Sequence, residues 1–426
     1  MTNGRGKDVS VRSLAFGGIN GGSFEEWEEP ENPVSIGVVL AVIVGVVVAV
    51  VALGAIALEW NYRRKPGNRL EFHPGRWELV ERERDRYRVV GEVELYNSTN
   101  RLEIMVPEVN ADATLLSKGS LSGITTHIDI IADHPDAPAR KDGYWFAYIV
   151  KARESTRFKL VVELRGEDLT QLQTLWVKVR YLTYGPGGRI PRTGHVVFPL
   201  QYPEPDAAAN WQVKENAEVL PIKTHLLTHL DDPVEVVRRY VLPHANPETD
   251  IVTIGETPLA IIQGRWRDPA SVKPGWVARR LCYFFLPTSS LATACGLQAL
   301  VDLVGPWRVL LAFIGGSIAK VLGKPGMFYQ LAGEQARLID DVTGTLPPYD
   351  RFIVLGPHDP KVVVDRIRRE TGLSAAIVDV NDLKAVKILA ATDRLPKPFL
   401  EAALRTNPAG NADEQTPLVL IRPRQP

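Results

Sequence analysis

The chain has 426 residues, enough for two or three domains, and its 50 basic side chains balance 50 acidic ones. With no net charge and no Lys/Arg stripe interleaved with aromatics, it lacks the electrostatic footprint of a nucleic-acid binder. Its two cysteines, Cys282 and Cys295, cannot build a disulfide framework and have no Cys-x-x-Cys partner for a metal, so a reducing compartment is expected for the main body.

Residues 1–32 are Gly-rich and then acidic, with Glu25, Glu26, Glu28, Glu29 and Glu31 crowded before Pro33. Such a tail has little apolar surface to bury and is expected to be disordered. Residues 34–58 follow, 25 positions without a charge. As a helix this run is roughly 37 Å long against a hydrocarbon core of about 30 Å, so a transmembrane helix is expected over 33–60. The acidic lead-in and the absence of a small-residue cleavage site favour a permanent anchor over a signal peptide. Arg63, Arg64, Lys65 and Arg69 crowd its carboxyl side, whereas Arg5, Lys7 and Arg12 lie well before it. Positive charge resists translocation, so the following domains are expected on the cytoplasmic side of a single-pass membrane protein. The sequon Asn97-Ser98-Thr99 then reads as a turn.

Over 70–205 the pattern changes to short alternating runs. In 86–96, Tyr87, Val89, Val93 and Leu95 share one side, and Arg88, Glu92 and Glu94 the other. Residues 158–164 and 175–181 repeat this, with turn residues between the runs, which predicts an antiparallel β-sandwich. Residues 93–99 also resemble one strand of the stress-associated late-embryogenesis sandwich domains. His127, His134 and His195 are scattered and form no site, so a spacer or interaction role is expected.

Residues 202–209 read as a linker, and a second domain is expected over 212–426. There Asp232-Pro233 starts a helix with Glu235 placed to close a capping box, and 250–256 reads as a buried strand ending in polar groups. The same order recurs when Asp359-Pro360 opens a helix and the apolar run 375–378 delivers Asp379, Asn381 and Asp382. Carboxylates at a strand's carboxyl end either turn the chain or hold a ligand, and two copies imply two related half-sites.

Several motifs come in a specific order: Leu220-Pro221-Ile222, Asp231-Asp232, Ile251-Val252-Thr253, Gln263-Gly264-Arg265, Ala332-Gly333 and Ile339-Asp340-Asp341. Pro357-His358-Asp359-Pro360, Ile377-Val378-Asp379, Ala412-Asp413-Glu414 and Val419-Leu420-Ile421-Arg422 complete it. In this order residues 217–423 resemble the coenzyme F-420 γ-glutamyl ligases. The fold class expected is therefore α+β multidomain: transmembrane helix, antiparallel β-sandwich, then a mixed α/β ligase-like domain.

The resemblance implies a nucleotide- and metal-dependent amide ligase that uses GTP with Mg²⁺ or Mn²⁺ and an acyl-phosphate route from a small-molecule carboxylate to glutamate or another amine. It also implies a homodimer. Carried over by motif, Asp340 and Asp379 hold metal, with Asp341, Asn381, Asp382, Asp413 and Glu414 as neighbours. Hard cations of this kind take oxygen ligands. Lys223, Arg265 and Arg267 are placed to bind phosphate or carboxylate.

Two stretches depart from the family pattern. Gly255-Glu256-Thr257-Pro258 stands near the family's Ser-Lys pair, and Val380-Asn381-Asp382-Leu383 replaces its Thr-aromatic-Gly-Arg turn. A catalytically inactive scaffold or a nucleotide sensor in a membrane complex is the alternative. Finally, 281–285 and 291–322 are strongly apolar, interrupted by Asp302, Arg308 and Lys320. They read as a buried helical pair or as a hairpin, 291–322, touching the bilayer.

Overall fold

The computed structural model describes residues 36–64, 67–205, 209–214, 216–341, 346–380, 385–393, 395–410 and 414–424. The expected disordered tail, and Asn381, Asp382 and Asp413, lie outside the described residues. The chain divides into two units, Met1–Pro66 and Gly67–Pro426.

In the first unit, helix α1 (Ile36–Arg64) contains a stretch, Gly37–Asn61, long and apolar enough to cross a membrane. Its described side chains are exposed on every side. A helix that is hydrophobic all round matches hydrocarbon rather than water.

The second unit opens with a sandwich of two antiparallel sheets. The strands are β1 (Glu71–Arg82), β2 (Arg86–Tyr96), β3 (Ile104–Val106), β4 (Val109–Ser117), β5 (Thr125–Asp133), β6 (Tyr148–Val150), β7 (Ser155–Arg165), β8 (Leu172–Gly185) and β9 (Gly188–Pro199). One sheet has the order β1-β2-β7-β5; in the other, β8 pairs with β4, β3 and β9. The alternation in β2 does what period two requires: Tyr87, Val89, Val93 and Leu95 enter the core with Phe158, Leu160, Val177 and Val179.

The sequon forms a buried turn. Asn97 is fully buried; its Nδ2 donates to Leu102 O at 2.7 Å and Val150 O at 3.0 Å, and its Oδ1 accepts from Thr99 N at 3.1 Å and Thr99 Oγ1 at 2.7 Å. Asn97→Ala strands these groups in a dry core, an expected loss on the order of 3 kcal/mol. A urea midpoint that falls while the m-value holds would show this; an unchanged midpoint would contradict it.

The sandwich is fused to the carboxyl-terminal domain, not spaced from it. Val197 of β9 shares a core with Ala260, Ile261, Tyr349, Phe352 and Val354. His195 Nδ1 accepts from Trp176 Nε1 at 3.2 Å, so Nε2 carries the proton and donates to Asp268 at 3.0 Å. Burial lowers the pKa of this imidazole, with Asp268 opposing, which suits the neutral ring. The expected linker is pinned as well: Tyr202 lies 4.6 Å from the His225 ring, with the Arg239 guanidinium 4.4 Å over it.

The carboxyl-terminal domain is built on strands β10 (Gln212–Val213), β11 (Ala217–Ile222), β12 (Ile251–Gly255), β13 (Trp266–Arg267), β14 (Asp340–Asp341), β15 (Ile353–Val354), β16 (Ser374–Val380), β17 (Val386–Ala391) and β18 (Leu418–Pro423). Its helices are α2 (Pro233–Tyr240), α3 (Glu256–Ile262), α4 (Trp276–Leu281), α5 (Ala294–Val304), α6 (Pro306–Val321), α7 (Met327–Ala332), α8 (Pro360–Thr371) and α9 (Lys397–Leu404). A six-stranded mixed sheet has the order β10-β11-β18-β12-β16-β17, with β12 and β16 parallel. On one face α2 and α8 bring Val234, Val237, Tyr240, Val364 and Ile367 to a core; on the other α9 brings Leu400 and Leu404.

Asp232 caps α2, accepting from Val234 N and Glu235 N, with Pro233 in the first turn. Glu235 pairs with Arg238. Asp359 precedes α8 in a left-handed conformation (φ 42°) and makes no side-chain cap bond.

The apolar stretch divides into unlike parts. Helix α5 is buried from Gly296 to Val301, whereas α6 buries only Val309, Ala312 and Gly316. The two meet at a 111° bend, at Gly305 with φ 89°. Gly316 lets α6 lie against α7, since a Cβ there would sit 2.9 Å from Phe328 Cα. The expected buried pair is therefore one buried helix and one half-exposed helix.

Candidate functional site

The two strand-to-carboxylate segments meet side by side. Parallel pairing ends with Gly255 opposite Val378, so Glu256 and Asp379 emerge together at the carboxyl ends of β12 and β16. That edge of an α/β sheet is where ligands bind, and the two expected half-sites lie side by side there. Strand β14 of the small sheet β13-β15-β14 adds Asp340, whose Oδ2 accepts from Thr257 Oγ1 at 3.3 Å.

Glu256 is 8% exposed. Burial pushes its pKa up to about 8, with further contributions from Asp379 and then Asp340, against a weaker opposing pull from Lys387. Asp340 moves the same way: burial raises it, the Thr257 hydroxyl lowers it, and Asp379 raises it. Asp379 is exposed and lies opposite Lys387 of β17. Among the described residues these three acids meet one lysine, an arrangement that favours a retained proton or a bound cation.

Glu256 and Asp379 line a cleft of about 640 Å³ with Thr224, His225, Asn407 and Gln415, and Asp340 joins them through the lining residue Thr257. His225 is held on both sides, with Nε2 2.9 Å from Asp231 Oδ1 and Nδ1 2.8 Å from the Tyr240 hydroxyl. A carboxylate only accepts, so Nε2 carries a proton toward Asp231. Asp231 Oδ2 accepts from Thr228 N at 2.7 Å and Thr228 Oγ1 at 3.1 Å, which fixes it in turn.

The structure brings Asp340 and Asp379 into one electrostatic group and adds Glu256, which motif reasoning missed. Its signal was available: Glu256 follows an apolar strand as Asp379 does. Asp341 points the other way, as strand alternation demands, and accepts from Thr293 Oγ1. Glu414 is exposed, next to Gly410 of the cleft wall.

The basic candidates scatter. Lys223 is exposed beside the lining residue Thr224. Arg265 Nε donates to Gly356 O and its Nη2 to Gln335 Oε1 at 3.3 Å, tying β13 to the chain after β15. Arg267 pairs with Asp302 at 2.7 Å. Both arginines are thus engaged with partners in the fold.

The donors fit a hard cation in kind: all are carboxylate oxygens, and two of the three are raised in pKa. Among the described residues no three acidic, His or Cys side chains are arranged to hold an ion alone. One or two carboxylates completed by phosphate oxygens is how Mg²⁺ commonly binds, and this arrangement permits it.

Residues 71–202 match the family model described as F420-0:gamma-glutamyl ligase, N-terminal Ig-like domain. Among solved structures, a yeast GGA1 GAE domain is similar over 32% of this chain and 96% of its own, at 16% identity and a TM-score of 0.18. The GAE domain of GGA2p from Saccharomyces cerevisiae is similar over 32% of this chain and 94% of its own, at 10% identity and a TM-score of 0.19. A protein from Archaeoglobus fulgidus is similar over 31% of this chain and 98% of its own, at 14% identity and a TM-score of 0.16. No curated protein matches the chain.

Proposed function

We propose that residues 212–426 form an acid–amine ligase of γ-glutamyl type, dependent on a nucleotide and a divalent cation, and that α1 anchors it in a membrane with the folded domains on the cytoplasmic side. The observation that carries this reading is the convergence of Glu256, Asp340 and Asp379 from separate segments into one electrostatic group, of which Glu256 and Asp379 line the cleft. The amino-terminal partner supports it, because residues 71–202 match a domain that takes its name from its place in such ligases.

Asp340 and Asp379 would hold Mg²⁺ or Mn²⁺, with Glu256 beside them; the bound ion would compensate the charge of GTP phosphates and of an activated carboxylate. The chain's own groups set up the rest. Thr257 orients Asp340, and His225, held between Asp231 and Tyr240, gives the cleft wall a fixed polar group. Lys223 stands at the end of β11, where it can meet a substrate carboxylate or phosphate. Arg265 and Arg267 have no part in this reading, because their guanidinium groups serve the fold. That engagement favours the inactive scaffold as the second reading, since it removes two phosphate partners; a nucleotide sensor without turnover lies between the two.

A melting experiment on residues 67–426 separates the readings. GTP or ATP with Mg²⁺ or Mn²⁺ should stabilise the protein by about 2.7 kcal/mol at a hundredfold excess over Kd. Asp340→Asn and Asp379→Asn should each abolish the shift, and Lys223→Ala should weaken it less. No shift with either nucleotide leaves the scaffold; a shift without glutamate-dependent phosphate release leaves the sensor.

A further inference from the structure

Helix α6 is apolar on two opposite faces. Val309, Ala312 and Gly316 point into the protein. Trp307, Leu311, Ile314, Ile318 and Val321 form an outward stripe at helical spacing, 75%, 66%, 48%, 57% and 88% exposed. Beside it the turn after α4 leaves Tyr283, Phe284 and Leu286 exposed, and the Phe284 ring lies 5.2 Å from Phe313 of α6, joining the two into one surface. A continuous apolar surface of this kind marks a docking site.

Charge identifies the occupant. Between residues 272 and 333 the one acidic side chain is Asp302, already paired with Arg267. Lys273, Arg279, Arg280, Arg308, Lys320 and Lys324 in the same segment are all exposed. A second copy would present the same excess of positive charge, so a symmetric pairing through this face sets like charges together. An anionic lipid surface complements both features, with phosphates for the Lys and Arg heads and an acyl boundary for the aromatic and aliphatic stripe. The helix cannot span: its 16 residues reach about 24 Å, and α5 is committed to the protein core.

We propose that this face, the outer stripe of α6 with the turn after α4, docks in the plane of an anionic bilayer. The inference requires neither the ligase reading nor α1. Among the described residues the cores of the Gly67–Pro426 unit are built from its own side chains, so this unit folds without the helix.

Residues 67–426 are floated with vesicles of phosphatidylcholine alone or mixed with phosphatidylglycerol. Binding is expected on the mixed vesicles, reduced by high salt and by Arg279→Glu/Arg280→Glu. Leu311→Asp/Ile318→Asp should lower it roughly tenfold or more while leaving the melting temperature near wild type, because both side chains face outward. Three results overturn the proposal: no wild-type binding to the mixed vesicles, binding that survives the Asp pair, or a vesicle-free dimer that the Asp pair dissociates, which assigns the face to a second copy.

Discussion

Glu256→Gln is expected to raise the melting temperature at pH 9 by at least about 5 °C and to leave it nearly unchanged at pH 4. The cause is the difference between the folded pKa, pushed up to about 8, and the ordinary 4.5 of an exposed glutamate. Between these values the folded chain keeps a proton that the unfolded chain has released, so stability is fully present below pH 4.5 and is lost as pH rises through 8. The span corresponds to a loss on the order of 5 kcal/mol, which Gln avoids because it has no proton to give up.

His229 acts in the opposite sense. Burial lowers its pKa from 6.5 to about 4, so its contribution is present above 6.5 and is lost as pH falls through 4. From 4.5 to 6.5 the two slopes therefore oppose each other in the wild type, and from 6.5 to 8 Glu256 acts unopposed. Scanning calorimetry across pH 4 to 9 reads both limbs. Equal pH profiles for wild type and Glu256→Gln would mean that the Glu256 carboxyl group is solvated and does not feel Asp379 and Asp340.

Arg422→Met is expected to cost about 3–5 kcal/mol, the usual penalty for leaving a buried carboxylate without its partner. The Asp250 side chain has no exposed surface. Arg422 Nε lies 3.2 Å from both of its oxygens, and Nη2 donates to Oδ2 at 2.8 Å and to His244 O at 3.1 Å. The same guanidinium stacks 4.3 Å from the Trp211 ring. Asp250 also accepts from Asn246 N at 2.9 Å, so it stays seated when Arg422 is removed.

Adding Asp250→Asn to Arg422→Met should recover part of the loss, since the stranded charge goes with it. Denaturant midpoints for the two singles and the double close the cycle, and simple additivity would count against a charge-driven penalty. The effect bears on the site: Asp250 precedes β12, Arg422 lies on β18, and the strand they pin carries Glu256 at its other end.

What the sequence determined by itself is what local physics determines. The uncharged run that became α1, the alternation of β2, the Asp232-Pro233 start of α2 and the apolar strand ending at Asp379 each depend on residues a few positions apart. Asp340 and Asp379 came from motif order, and their grouping with Glu256 did not. That grouping depends on parallel pairing across more than a hundred residues, and neither periodicity nor capping encodes which strands become neighbours. Arg265 and Arg267 looked like phosphate ligands because a side chain's partner is a property of the packed fold, here Gly356, Gln335 and Asp302. The same holds for α5 and α6, alike in composition, of which one fills a core and the other turns an apolar face outward. Composition gives the free energy available from burial; only the tertiary arrangement decides which surfaces are buried.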